Sequence, residues 1–325
     1  MKKYLSLIIA AVALTACNTT STSGEQSEPT GYNRSTLSII TPTGAPALAF
    51  YNYANNSNFE TNSNPSEGII PQMVTGQKDV VVLPTNAGMQ VIINKKAEYQ
   101  IAATITFGNF YLISMNNDEN KTLDANDTIL LFQKGNVPDK VFHYVYGNDF
   151  DANIHYVSAV SDAAAAANAG FFADAETGTN IVPNYVMLAQ PVLTTVLNKN
   201  SEKGYSVYAD MQAKYKEKSN NQALFQASVF VKKSLDRKTV TSFLDSLKAD
   251  IDTAIKTPDV INDALKDVIG AQTVYGIAPE MATAVTKNNN GMGLGFAYAK
   301  ENKAAVENFL KLFNIEGINE EVYFE

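Results

Sequence analysis

Leu37-Ser38-Ile39-Ile40-Thr41-Pro42-Thr43-Gly44-Ala45-Pro46-Ala47-Leu48-Ala49-Phe50-Tyr51 is the stretch whose reading decides the fold. It opens on a largely apolar, isoleucine-bearing run of the length of a buried strand. Thr41-Pro42-Thr43-Gly44 breaks that strand, because Pro42 has no N–H and Gly44 can take a positive φ. Ala45-Pro46-Ala47 restarts the chain as a helix, with Pro46 in the first turn, where its missing N–H would be unpaired anyway. Strand, tight turn and helix in this order predict free backbone N–H groups and two threonine hydroxyls at a helix N-terminus. Such a turn holds a polar or anionic group without a charged side chain. An ordinary βα turn capped by threonine reads the same way locally, so the rest of the chain has to decide.

Downstream, the pattern repeats. Glu67–Val74 reads as a short helix ending at Gly76, and Asp79–Leu83 as a Val-rich strand covered on both faces. That strand stops at Pro84-Thr85-Asn86, before a helix over Ala87–Ile93. Ile101–Phe107 is a further strand, broken at Gly108-Asn109, and Phe110–Met115 resumes extended character. After a polar break over 116–127 come the strand Thr128–Phe132, the turn Gln133-Lys134-Gly135-Asn136 and a helix from Val137 toward Gly147. Ile154–Val160 reads as a strand, and Ser161-Asp162 caps an alanine-rich helix. An acidic loop over 171–180 leads to the strand Tyr185–Leu188, which ends at Ala189-Gln190-Pro191. Strands alternating with helices give an α/β fold. The turns Pro84-Thr85-Asn86 and Ala189-Gln190-Pro191 echo each other at strand carboxyl ends, where open α/β sheets bind ligands. Two such units, one in each lobe, would face each other across a cleft. Gln226–Val231 returns as a strand, the remainder is mostly helical, and Asn288–Gly295 reads as a flexible loop.

The 325 residues leave room for two domains once the ends are trimmed, and 45% hydrophobic with 18% charged residues describes a globular protein. A net charge of −8 excludes nucleic acid as the expected partner. Arg34 and Arg237 are the only arginines. Lys2 and Lys3 precede a short apolar segment, Tyr4–Leu14, and then Leu14-Thr15-Ala16-Cys17, which resembles the bacterial lipobox. Cys17 is the only cysteine, so no disulfide or thiolate metal site is expected. The expectation is a signal peptide over 1–16, lipidation at Cys17, and a disordered tether over 17–34 holding the protein to a membrane face outside the cytoplasm.

Taken together, these residues resemble the substrate-binding lipoproteins of bacterial ABC importers, in the branch of nitrate-, sulfonate- and thiamine-precursor-binding proteins. The likeness runs from about Leu37 to Phe313 and rests on four stretches besides the lipobox. They are Thr41–Ala47, Gly76–Asn86, Thr106–Tyr111 and the strand ending in Gln190-Pro191. The resemblance implies a type II periplasmic-binding-protein fold, two α/β lobes with mixed sheets and the ligand enclosed between them. Lobe 1 would comprise 35–120 and 225–325, and lobe 2 would comprise 121–224, with crossings near 111–127 and 224–231. Thr41, Thr43, Gly44 and Ala45 would line one wall of the cleft, beside Thr85, Asn86, Gly108 and Asn109. Gly135, Asn136 and Gln190 would come from the second lobe. The implied role is delivery of a small organic nutrient to an ABC permease, as a monomer and without cofactor. The segment 171–180 reads as an insertion and, with 288–295, bears on how the cleft closes.

Other chemistry has little support in the sequence. His143 and His155 read as structural, and no metal, nucleophile-elbow or phosphate-loop motif is present. Tyr51, Phe107 and Tyr111 lie near the expected cleft, where Phe107 and Tyr111 are placed among the ligand contacts as stacking surfaces for a planar solute. Neutral hydrogen-bonding groups dominate the expected contacts, which favours a neutral or weakly charged ligand over one needing an arginine clamp. An enzyme on the same two-lobed fold, or a surface adhesin, stands as the alternative.

Overall fold

The computed structural model describes residues 32–116, 122–148, 150, 152–174 and 177–325. The expected signal peptide, Cys17 and the tether up to residue 31 lie outside the described residues. The first four strands are β1 (Ile39–Pro42), β2 (Phe59–Asn62), β3 (Val80–Pro84) and β4 (Tyr99–Thr106). Next come β5 (Phe110–Ser114), β6 (Thr128–Phe132), β7 (Asn153–Val157), the short pair β8 (Phe172–Ala173) and β9 (Asn180–Ile181), β10 (Tyr185–Ala189) and β11 (Ser206–Asp210). The last two are β12 (Ala227–Lys232) and β13 (Leu294–Tyr298).

They build two mixed sheets. One has the order β13-β4-β12-β3-β1-β2 and the other β11-β5-β10-β6-β7. In the first, β1 runs parallel to β2 and β3, while β12 is antiparallel to both β3 and β4. In the second, β6 runs parallel to β10 and β7, while β5 is antiparallel to β10 and β11. Side-chain alternation explains why helices cover both faces. On β12, Phe230 points to the face that carries Ile40, Val81 and Leu83, whereas Val229 and Val231 join Val80 and Val82 on the other. That second face is closed by Val240, Phe243, Leu244 and Leu247 of the helix Arg237–Lys256. In the second lobe Leu130, Val186 and Leu188 lie against Ala163, Ala164 and Ala167 of Val160–Ala169, where small side chains let helix and sheet approach closely. One apolar core runs through both lobes, from Val81 and Leu83 by way of Phe110 and Phe225 to Ile129 and Met187.

Several expectations are corrected. Phe110–Ser114 belongs to the second sheet, paired Ala189↔Phe110 to Tyr185↔Ser114 with β10. The chain therefore leaves the first sheet at Phe107–Asn109, not over 111–127, and the lobe boundary drawn at residue 120 moves with it. The reason is a pair of partners distant in sequence: the backbone N–H and C=O groups along both edges of β5 need pairing, which β10 and β11 supply. Tyr32–Arg34, assigned to the tether, is packed down. The Arg34 guanidinium donates to both Asp250 carboxylate oxygens at 2.9 and 3.1 Å, and the Tyr32 ring lies 6.0 Å from that of Phe243. The polar, asparagine-rich segment before Pro65 contains β2, and the acidic segment expected as a loop over 171–180 contributes to the β8–β9 pair. No helix among the described residues is long and apolar enough to cross a membrane.

Candidate functional site

Strand register decides where a site can form. Ala227 pairs with Pro84 on one side and Thr106 on the other, so β3 and β4 end and β12 begins at one edge of the first sheet. Ala189 pairs with Phe110, so β10 ends where β5 begins. Only Phe107–Asn109 separates these two edges along the chain. The carboxyl ends of the parallel strands of both lobes thus meet the crossing.

The crossing is tightly held. The Asn109 amide donates to the Gln190 carbonyl and the Gln190 N–H to the Asn109 carbonyl, both at 2.9 Å. Phe110 N–H donates to Gln212 Oε1 at 2.6 Å, and Gln212 Nε2 to Asp210 at 3.0 Å. Behind the crossing lies the loop expected to be flexible. Phe107 N–H donates to the Gly293 carbonyl at 2.8 Å, and a Cβ on Gly293 (φ +66°) would fall on the Gly108 carbonyl oxygen. Gly108 itself has φ +96°, a conformation that L side chains rarely adopt. Phe107 packs edge-on to Phe225, ring centroids 5.4 Å apart, and a Cβ on Gly295 would strike it.

Thr85, Asn86, Phe107, Gly108, Asn109, Tyr111 and Gln190 are all brought to this crossing, but not all face outward. Thr85 is fully buried, with its Oγ1 2.7 Å from Ser228 Oγ, which lies 2.8 Å from Thr104 Oγ1. Phe107 is committed to packing. Gln190 Oε1 accepts from the Thr194 hydroxyl at 2.8 Å and so serves the start of the helix Val192–Lys199. Tyr111 pairs with Asp210, and its hydroxyl pKa is pushed up to about 12, by burial first and then by the Asp210 charge. Thr41, Thr43, Gly44 and Ala45 lie at the end of β1, one strand further out. The helix expected there is a single turn, Ala45–Leu48. Its approach is already satisfied, since Thr43 N–H donates to the Asn62 carbonyl at 3.2 Å and Gly44 N–H to that of Tyr275 at 2.7 Å. Gly135 and Asn136 are exposed beyond the end of β6, with Gly135 N–H donating to Asp139 Oδ2 at 2.7 Å. Tyr51 is remote, its hydroxyl bonded to the Asp250 carbonyl.

Polar groups without partners mark the middle of the crossing. Asn86 Oδ1, Thr106 Oγ1 and Gln226 Oε1 are buried and unbonded. Thr106 and Gln226 were not among the expected site residues. Their only sequence signal is a polar residue at the end of one apolar strand and the start of another. Both imidazoles are engaged within the second lobe: His143 Nε2 lies 3.1 Å from the Tyr156 hydroxyl, and His155 Nδ1 lies 3.2 Å from Asp174. Among the described residues no group of three or more His, Cys, Asp or Glu could hold a metal ion.

No protein-family model matches the chain, and no curated protein sequence matches it. Solved structures do. An ABC transporter structure from Parabacteroides distasonis is 19% identical over 85% of this chain and 91% of its own, with a TM-score of 0.64. The periplasmic aliphatic sulphonate binding protein of Escherichia coli is 10% identical over 85% of each chain, with a TM-score of 0.58. The ligand binding component of an ABC-type import system from Staphylococcus aureus, with zinc bound, is 9% identical over 88% of this chain and 95% of its own, at 0.54. Two mixed sheets, a short crossing between their strand ends and likeness over most of each chain establish that this protein has the two-lobed α/β fold of the periplasmic binding proteins.

Proposed function

We propose that this protein is an extracytoplasmic solute-binding lipoprotein, which captures a small organic nutrient between its lobes and delivers it to an ABC permease. One observation carries the reading: strand ends of both lobes converge on a three-residue crossing where Asn86, Thr106 and Gln226 keep unpaired buried polar atoms. Each such atom costs about 1–3 kcal/mol until it is bonded, so a solute that bonds them gains affinity. The lobes then close by rotation about the crossings, because solute reaches groups of both only when they are together. The fold shared with a sulphonate binding protein and an import-system component supports the transport role. No covalent step is required of any residue, and the lipid anchor rests on the Leu14–Cys17 motif.

The deciding experiment is mass spectrometry of small molecules released on denaturing protein purified under native conditions. A stoichiometric organic solute is expected, and adding it back at one hundred times its Kd should stabilise the fold by about 2.7 kcal/mol. Empty protein that no nutrient library stabilises would sink the proposal. For the anchor, Cys17→Ser should abolish labelling by a fatty-acid analogue; unchanged labelling refutes lipidation there.

A further inference from the structure

The unpaired groups at the crossing have a chemical sense as well as a place. Asn109 Nδ2 donates to the Gln190 carbonyl, which turns Asn109 Oδ1 toward Gln226. Gln226 therefore presents Nε2 to Asn109, at 3.4 Å, and its Oε1 is the atom left over. A carbonyl oxygen accepts and never donates. Asn86 Oδ1 is a second acceptor, and Thr106 Oγ1 serves in either sense. Asn86 and Thr106 are 7% and 0% exposed. Backbone bonds keep the three together: Gln226 N–H donates to the Thr106 carbonyl at 3.1 Å, and Thr85 N–H to the Gln226 carbonyl at 3.0 Å.

The surrounding charge agrees. Asp210 stands at the crossing, cross-strand from Tyr111 and bonded to Gln212. Neither arginine is there: Arg34 is bonded to Asp250, and Arg237 lines a groove with Lys233, Glu321 and Glu325. The backbone N–H groups of Thr43 and Gly44, in the turn before the helix Ala45–Leu48, are already bonded within the protein. An anion at the crossing would meet the acceptors Gln226 Oε1 and Asn86 Oδ1 and the Asp210 carboxylate, and desolvating it against them is costly.

We propose that the solute is a hydrogen-bond donor: a small neutral or cationic molecule that turns two or more N–H or O–H groups toward Gln226 Oε1, Asn86 Oδ1 and Thr106 Oγ1. Carboxylates and sulfonates of the same shape are rejected. This rests on the solute-binding role proposed above and adds the class of solute.

Two measurements on the full chain test it. The first identifies the solute extracted from natively purified protein, and compares thermal shifts for benzamide against benzoate and benzenesulfonamide against benzenesulfonate. A donor-bearing, non-anionic extract, with larger shifts for the amide and sulfonamide, is expected. An anionic extract, or larger shifts for the anions, overturns the donor class while leaving solute capture standing. No extract and no shift from any probe removes both. The second uses Thr106→Val, which deletes an unpaired hydroxyl without changing shape. It should raise the Tm of the empty protein and weaken the best amide or sulfonamide probe at least tenfold. A lowered Tm with unchanged affinity makes the hydroxyl structural and overturns the assignment. Asn86→Ala, read by the same two quantities, decides the matter if Thr106→Val does not fold.

Discussion

Ser228 shows what a single hydroxyl does in this protein. It joins Thr85 and Thr104, both fully buried, in a chain of bonds of 2.7 and 2.8 Å that links the residue just after β3 to β12 and β4. Ser228→Ala would leave both threonines with a missing partner. Unfolding in urea should show a loss of about 1–3 kcal/mol, with little change in solute affinity. Thr85 was legible as a polar residue at the end of a buried strand, and that position is right. Its direction was not legible, because residue type states how many bonds a hydroxyl can make and not which neighbour supplies them. The same limit applied to Gly44, whose N–H is taken by Tyr275, a residue far along the chain. Gln226 shows the converse: nothing in its neighbours in sequence announced that its amide would end beside Asn109.

The elements were easiest to read where local chemistry suffices. β3 and β10 are continuous apolar runs ended by polar, proline-containing turns, and both form as the sequence indicates. β5 was just as visible as a strand, yet its sheet is set by β10 and β11, which pattern alone does not pair. The Gly291–Gly295 loop was misread for a related reason. Glycines suggest freedom, but here they permit contact, since Gly293 presses on Gly108 and Gly295 on Phe107. Gly293→Ala should therefore act on the crossing as well as on its own loop. A Cβ on the Gly108 carbonyl forces backbone to move, at a cost of about 1–3 kcal/mol or more. The urea midpoint should fall, and small-angle scattering should show a larger radius of gyration for the empty protein. A variant with wild-type stability and dimensions would refute the contact.

At the scale of the whole molecule, one apolar core runs through both lobes and a second covers the other face of the first sheet, and buried tyrosines populate both. The hydroxyls of Tyr51 and Tyr99 are pushed up to about 12 from an ordinary 10.0, with burial the leading cause; those of Tyr53, Tyr215 and Tyr275 are raised further. A raised pKa means that the folded protein holds these protons more tightly than the unfolded chain. The stabilisation is complete below pH 10 and drains away as pH climbs through 12, by about 1.4 kcal/mol per pH unit for each such tyrosine. Urea midpoints should be nearly level up to pH 9 and fall steeply above 10, with the tyrosinate absorbance of these buried rings appearing only on unfolding. Ionisation of the full complement of tyrosines in the native protein near pH 10 would contradict this burial.

The contact between Gly108 and Gly293 also reaches beyond the single molecule, into descent. Position 293, 185 residues beyond position 108 (293 − 108), accepts no side chain while the Gly108 carbonyl stays where it is. Lineages that keep this crossing should keep a glycine at the place of Gly293. Where it has been replaced, the loop or the crossing should carry a compensating deletion or a new route, so that change at the one site is seldom found without change at the other.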